Sequence, residues 1–275
     1  MSNGRSAGER RVTVRDLLDM KRRGDRIVVL TAYDVLFARL VDEGGADVVL
    51  VGDSLAQVVL GLDSTLPVTL DDMIHHARAV RRGVKRALLV VDMPFLSFQV
   101  SAEETLRNAG RILKETGAEA VKLEGGHEEA AHHVARLVAA GIPVMGHIGL
   151  TPQSVHALGG YRVQGREAGH AERLREDALR LQDAGAFSIV LELLPSAVAR
   201  DVSDAVTIPT IGIGAGPDCD GQVLVLPDML GLNETFAPKF LRRFAELGSA
   251  ARAGIADYVS AVRGRTYPGA EHGFE

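Results

Sequence analysis

The stretch Ala120-Val121-Lys122-Leu123-Glu124-Gly125-Gly126 sets apolar and charged side chains in alternation and ends on two glycines. Its length and its glycine stop read as a strand rather than a helix. In an extended strand neighbouring side chains face opposite ways, so Lys122 and Glu124 share one face and Val121 and Leu123 the other. If the apolar face packs under a helix, both charges point inward. A charge in a protein interior is costly unless it is paired or bound to a metal, so this one strand already demands partners from elsewhere in the chain.

Moving outward from it, short apolar runs recur: IVVL from Ile27, DVVLV from Asp47, ALLVV from Ala87, IPVMG from Ile142, FSIVLE from Phe187, IPTIGI from Ile208 and QVLVL from Gln222. With 120–124 they make eight candidate strands. Such runs have no solvent side, as parallel strands covered on both faces require. Helical spacing fills the gaps over 34–43, 70–83, 102–117, 127–140, 172–185 and 195–205, with a helix from Val12 to Arg23 ahead of the first strand and a long one over 237–262 at the end. Thr69 and Ser101 sit as N-caps, and Gly117, Gly141 and Gly185 as C-terminal stops. The pattern predicts the α/β class and a (β/α)8 TIM barrel with an extra N-terminal helix and a long C-terminal helix. Its 275 residues match the roughly 250 that one such barrel needs. One domain over 1–275, with a flexible tail at 1–11, is expected.

A net charge of −5 leaves no basic stripe, so neither nucleic acid nor an anionic membrane is expected as partner. A small molecule is. The lone cysteine, Cys219, has no intramolecular disulfide partner, and no apolar run approaches a signal peptide or a membrane span, which points to the cytoplasm. Cys219 reads as a bystander.

Polar residues gather where these strands end: Asp53 after the second, Asp92 on the third, Glu124 on the fourth, His147 on the fifth and Glu192 on the sixth. A parallel barrel places its active site on that rim. Adjacent strands lie about 4.8 Å apart, so carboxylates on successive strands converge on one cation. An all-oxygen set favours Mg2+ over zinc. Each residue also has a plainer reading: turn or cap for Asp53 and Asp92, a structural ion pair for Lys122 with Glu124, a satisfied core carboxylate for Glu192, a structural hydrogen bond for His147. Glu192 stands among Val190, Leu191, Leu193 and Leu194, where an unpaired acid suits proton transfer. His75, His76, His132 and His133 lack metal-site spacing and read as helix-surface residues. The glycines of 212–216 read as tight backbone near the mouth, since Pro217 breaks a dinucleotide fingerprint, and LGGYRVQGR from Leu158 reads as a mobile loop able to close over substrate.

Ordered blocks carry a resemblance: TAYD at 31–34, VGDSL at 51–55, DSTLPVTLDDMIHHARAVRRG at 63–83, DMPF at 92–95, VKLEGG at 121–126, GHIGLTPQSV at 146–155, LGGYRVQG at 158–165, IPTIGIGAG at 208–216 and CDGQVLVLPDMLG at 219–231. The chain resembles the ketopantoate (3-methyl-2-oxobutanoate) hydroxymethyltransferases, whose barrel is related to the phosphoenolpyruvate mutase and isocitrate lyase group. The resemblance implies transfer of a hydroxymethyl group from 5,10-methylenetetrahydrofolate to 3-methyl-2-oxobutanoate, giving 2-dehydropantoate on the route to pantothenate and coenzyme A. It implies Mg2+ held by Asp53, Asp92 and Glu124, substrate contacts from Asp53, Ser54, Asp92 and Lys122, with His147 a further candidate, and Glu192 as the base that forms the enolate. It also implies a homo-oligomer, often a decamer. Gly273, where the family commonly has serine, and Leu194, in place of a smaller residue before Pro195, depart from the family pattern without touching these positions. Two rivals are a carbon–carbon lyase of the same superfamily, whose Lys-Cys-Gly-His loop is missing here, and a non-catalytic barrel that binds small acids.

Overall fold

The computed structural model describes residues 10–274; most of the expected tail at 1–11 lies outside them. Arg10 and Arg11, its last two residues, are tied down, to Asp16 and to Glu119. The chain falls into two compact units, one ending at Val225 and one running from Leu226, where the sequence reads as one domain.

The first unit opens with α1 (Val14–Arg23), β1 (Ile27–Thr31), α2 (Val35–Glu43), β2 (Val48–Val51), the short α3 (Leu55–Val58), α4 (Leu70–Gly83) and β3 (Leu88–Asp92). It continues with α5 (Ala102–Thr116), β4 (Ala120–Glu124), α6 (Glu128–Ala139), β5 (Val144–Gly149), α7 (Ala168–Asp183), β6 (Ser188–Glu192), α8 (Ser196–Ala205), β7 (Thr210–Ile213) and β8 (Gly221–Leu224). The eight strands pair in parallel and in sequence order, and β8 returns to β1 to close the barrel. Every expected strand is present. The loop 214–220 joins β7 to β8 without a helix.

Inside the barrel the strands' inward faces change character along their length. Leu88 and Val90 precede Asp92, Ala120 precedes Lys122 and Glu124, Met145 precedes His147, and Val190 precedes Glu192, each two residues on and therefore on one face. The apolar half packs with Ile27, Val29, Val48, Leu50, Ile211 and Val223, and with Leu17 from α1. Burying each such side chain contributes about 1.5–3 kcal/mol, and that core holds the polar half in register above it. The helices outside are capped as expected. Thr69 accepts from the Asp72 amide while the Asp72 carboxylate accepts from Thr69, Ser101 accepts from the Glu104 amide, and Gly117 ends α5 in the left-handed conformation, φ 75°.

In the second unit, α9 (Leu226–Met229) precedes α10 (Leu247–Arg263). The final helix thus begins at Leu247, not at the expected 237. The amides of Phe244, Leu247 and Gly248 donate to the carbonyls of Met229, Leu230 and Gly231, so those groups satisfy the loop after α9 and cannot close earlier helical turns. Among the described residues no helix is long and apolar enough to cross a membrane.

Candidate active site

At the end of β2 the chain turns through Gly52, Asp53 and Ser54 into α3. A Cβ on Gly52 would stand 2.7 Å from Ser54 Oγ, so a side chain here would push that hydroxyl from its place. The Asp53 amide donates to Asp92 Oδ2 at 3.1 Å, and Ser54 Oγ is 2.8 Å from the hydroxyl of Tyr33. Parallel pairing then sets Asp92 beside Lys122, Glu124 beside His147, and Gly149 beside Glu192. Gly149 is needed there: its φ is +97°, and a Cβ would lie 2.3 Å from the Glu192 carbonyl oxygen.

These side chains form one run across the mouth. Lys122 Nζ lies 3.2 Å from Asp92 Oδ1 and 3.2 Å from His147 Nδ1. His147 Nε2 lies 3.2 Å from Glu192 Oε2, and its Nδ1 3.5 Å from Glu124 Oε1. The contacts are close without being saturated, because Asp92 Oδ1, Glu124 Oε1 and His147 Nε2 are buried yet lack an aligned hydrogen bond. Asp53, Asp92, Lys122, Glu124 and His147 are all buried, whereas the Glu192 side chain keeps 20% of its surface open. Glu192 is therefore not the unpaired acid among leucines that the sequence suggests. Its carboxylate reaches over the rim to a histidine on the neighbouring strand.

Burial, together with the charges of Asp92 and Glu124, pushes the Asp53 carboxyl up to about 8, against Lys122 and a hydrogen bond from Gln153. Burial raises Asp92 too, opposed by Lys122 and the Asp53 amide. For Lys122 burial works to discharge the ammonium, but Asp92, Glu124 and Asp53 outweigh it and hold the group above the ordinary lysine value. His147 is lowered by burial and by Lys122, yet the carboxylates of Glu124 and Glu192 beside it carry it up to about 9.

Among the described residues Asp53, Asp92, Glu124 and Glu192 thus face two basic groups, Lys122 and His147. Acids outnumber bases at the mouth, and two of its buried carboxylate oxygens lack an aligned hydrogen bond; both features fit a hard divalent ion. Among the described residues no three His, Cys, Asp or Glu side chains are grouped closely enough to cage an ion by themselves. An ion that takes one or two carboxylates and fills its other positions with water and substrate needs no such cage.

Two polar residues at the mouth escape sequence reasoning, Tyr33 and Gln153. Each lies within a block quoted above, but a tyrosine after a strand or a glutamine in a turn carries no signal of its own. Gln153 is buried and donates its side-chain amide to Asp53 Oδ2 at 2.9 Å and its backbone amide to Glu124 Oε2 at 3.0 Å. Tyr161, in the loop before α7, is raised by burial, against a hydrogen bond with Gln57; the charges of Asp53, Glu192 and Glu124 reach its hydroxyl. That loop ends early, since α7 begins at Ala168 rather than 172.

The histidine pairs need one correction. His75 and His132 are exposed, and His76, half-buried, bonds the Tyr33 carbonyl at 2.8 Å. His133 is buried, because helical spacing puts it on the inner face of α6 with Ala130, Val134 and Leu137; burial lowers its pKa. Cys219 is buried and its thiol pushed up by burial, as suits a bystander.

A family model described as ketopantoate hydroxymethyltransferase matches residues 11–270. The 3-methyl-2-oxobutanoate hydroxymethyltransferase of Pelobacter propionicus is 56% identical over 265 residues, covering 96% of this chain and 98% of that protein. The protein of the same name from Chlorobaculum parvum is 52% identical over 278 residues, covering 100% of each. Among solved structures, a putative phosphonomutase from Burkholderia cenocepacia J2315 superposes with a TM-score of 0.64 at 14% identity, covering 88% of this chain and 100% of that one. A 2,3-dimethylmalate lyase of the PEP mutase/isocitrate lyase superfamily does so with 0.59 at 18% identity, covering 91% and 87%. At such identities the structural likeness speaks for the barrel alone.

Proposed function

Because the chain belongs to the ketopantoate hydroxymethyltransferase family, we infer that it transfers a hydroxymethyl group to 3-methyl-2-oxobutanoate in pantothenate synthesis, and that 5,10-methylenetetrahydrofolate is the donor. The observation that carries the assignment of parts is the exposure of Glu192. Of the groups joined across the mouth, Asp92, Lys122, Glu124 and His147 have side chains no more than 5% exposed, while Glu192 is open to 20%. A base must reach its substrate, and Glu192 is the acid placed to do so.

Asp53 and Asp92 would hold Mg2+, with Glu124 completing the site directly or through water. An ion held there would supply Lewis acidity to the ketone of the 2-oxo acid, so that its C3 proton would be more acidic. The rest falls to side chains. Ser54, steadied by Tyr33, is placed to bond the substrate's oxygens. His147 Nε2 stands 3.2 Å from Glu192 Oε2 and, whether the ring is charged or is neutral with Nδ1 accepting from Lys122, would turn an N–H onto that oxygen as the site closes on substrate. That bond occupies one carboxylate oxygen and leaves the other for the C3 proton. As the proton moves, negative charge grows on the substrate oxygen, and the Lys122 ammonium lies close enough to offset it. Water adds to the one-carbon unit of the folate, both of its C–N bonds break and tetrahydrofolate leaves; the carbon freed of its proton attacks the formaldehyde so released, whose oxygen takes up a proton and becomes the new hydroxyl.

The reading extends to a cytoplasmic homo-oligomer. On α10, Ile255, Tyr258, Val259 and Val262 are exposed, apolar surface of the kind a second copy covers. The direct test of the chemistry is exchange of the C3 hydrogen of 3-methyl-2-oxobutanoate in deuterated water. Glu192→Gln is expected to slow it by about 1000-fold, within the range of general-base effects, with keto-acid binding retained. Exchange at the normal rate in that variant removes Glu192 from the role.

A further inference from the structure

Asp53 and Glu124 come from strands two apart, β2 and β4, and no hydrogen bond of their own joins them. One residue bonds both. Gln153 lies in the 3-10 turn Pro152–Ser154 that follows β5, closed by the Ser154 amide donating to Thr151 O at 2.8 Å. Its backbone N–H goes to Glu124 Oε2 at 3.0 Å, and its side-chain nitrogen to Asp53 Oδ2 at 2.9 Å and Met93 O at 3.0 Å. The orientation of the amide is dictated by chemistry. A carbonyl and a carboxylate only accept, so the NH2 end must face them, and the carbonyl end then meets its own donor, Gln99 Nε2, at 3.2 Å.

We propose that Gln153, braced by Gln99, is a positioning residue that sets the orientation of Asp53 and Glu124 for the divalent cation. The inference rests on the metal reading given under Proposed function. A neutral amide suits the task better than a lysine or arginine. It supplies N–H groups to two repelling carboxylates without adding a positive charge that would compete with the ion. It also ties one oxygen of Glu124 and leaves the other, Oε1, buried without a hydrogen bond. Glu124 therefore faces the mouth with one oxygen committed and the other bound by no hydrogen bond, only 3.5 Å from His147 Nδ1, an arrangement typical of carboxylates held from behind for a metal. Gln99 is half-buried at the rim and touches neither carboxylate, so it acts only through Gln153.

The test is Mn2+ binding, followed by loss of the free-ion EPR signal in the full-length protein, alongside C3 deuterium exchange. Gln153→Met keeps the length and apolar stem but removes three side-chain hydrogen bonds. It is expected to bind Mn2+ about 10–100-fold more weakly, the usual effect of removing a group behind a metal ligand, and to recover exchange when Mn2+ is raised to saturation. A purely structural role would lower the melting temperature without producing that rescue by metal. Gln99→Leu, which breaks only the outer bond, is expected to weaken binding about threefold; it carries the test if Gln153→Met does not fold. Asp92→Ala serves as the control that loses the ion. Wild-type affinity, within twofold, in both glutamine variants overturns the inference while leaving the metal reading intact. Wild-type protein that takes up no Mn2+ overturns both.

Discussion

The barrel holds a lysine at each end, and the two are built differently. At the base, Lys21 of α1 donates to Ser203 O at 3.1 Å, Ile208 O at 3.0 Å and Asp220 Oδ2 at 2.9 Å, which uses all three of its hydrogens. Asp220 in turn accepts from the Thr210 amide and hydroxyl at 2.8 and 3.0 Å. At the mouth, Lys122 is the more deeply buried, yet it stands 3.2 Å from an Asp92 oxygen that lacks an aligned hydrogen bond. The base is a closed account of donors and acceptors that anchors α1, α8 and the entries to β7 and β8. The mouth is the less saturated of the two, and its crowded acids lower stability where the base raises it.

The same double substitution at each end puts that contrast to the test. Replacing the mouth pair, Lys122→Met with Asp92→Leu, is expected to reduce C3 exchange at least about 1000-fold, since the two parts proposed for them, offsetting charge and holding the ion, would be lost together. Unfolding in urea is nevertheless expected to change by no more than about 1 kcal/mol, because the relief of replacing a strained buried pair by apolar packing offsets the Asp53 amide left without its acceptor. Two outcomes break the comparison: retained exchange, or a stability loss as large as that expected at the base.

How much of this was legible beforehand follows from the range of the interactions concerned. The strands could be read because each is a run of β-branched and aliphatic residues buried on both faces, a local property. The inward set of Lys122 and Glu124 needed only alternation within five residues. Asp53, Asp92 and Glu124 could be assigned to one rim because they share a strand end. The partner of Glu192 could not, since it depends on the register that sets Gly149 beside Glu192 and so brings His147 across from β5. Gln153 and Tyr33 were invisible for another reason: neutral residues serve wherever a donor is needed, and their role comes only from what the fold places next to them. The late start of α10 was misread because Phe244 and Leu247 spend their amides on the loop after α9, a choice no helical periodicity reveals.

At the base the double variant, Lys21→Met with Asp220→Leu, should give the opposite result. It strips the carbonyls of Ser203 and Ile208 of their donor and the buried Thr210 of its acceptor. Unsatisfied groups of this kind cost about 1–3 kcal/mol each, so a loss of about 3 kcal/mol is expected after relaxation and water entry. C3 exchange per folded molecule should stay within twofold of wild type, because the base lies at the far end of the barrel from Glu192. A fall in exchange without loss of stability would show that the two ends are coupled.

The smallest effect separates charge from geometry at the base. Lys21, the Thr210 amide and the Thr210 hydroxyl all meet one oxygen of Asp220, Oδ2. In Asp220→Asn an amide oxygen of the same shape can take its place and accept all three, so only the negative charge is removed. A hydrogen bond to a charged group is worth about 1.5–3 kcal/mol against about 1 for a neutral one, and Lys21 keeps its two carbonyl partners. The expected loss is about 1 kcal/mol in urea unfolding. A loss equal to that of the double variant would mean that Coulomb attraction, rather than the saturation of donors and acceptors, anchors this end. Lys21 and Lys122 would then differ in the company they keep and not in the kind of bond they make.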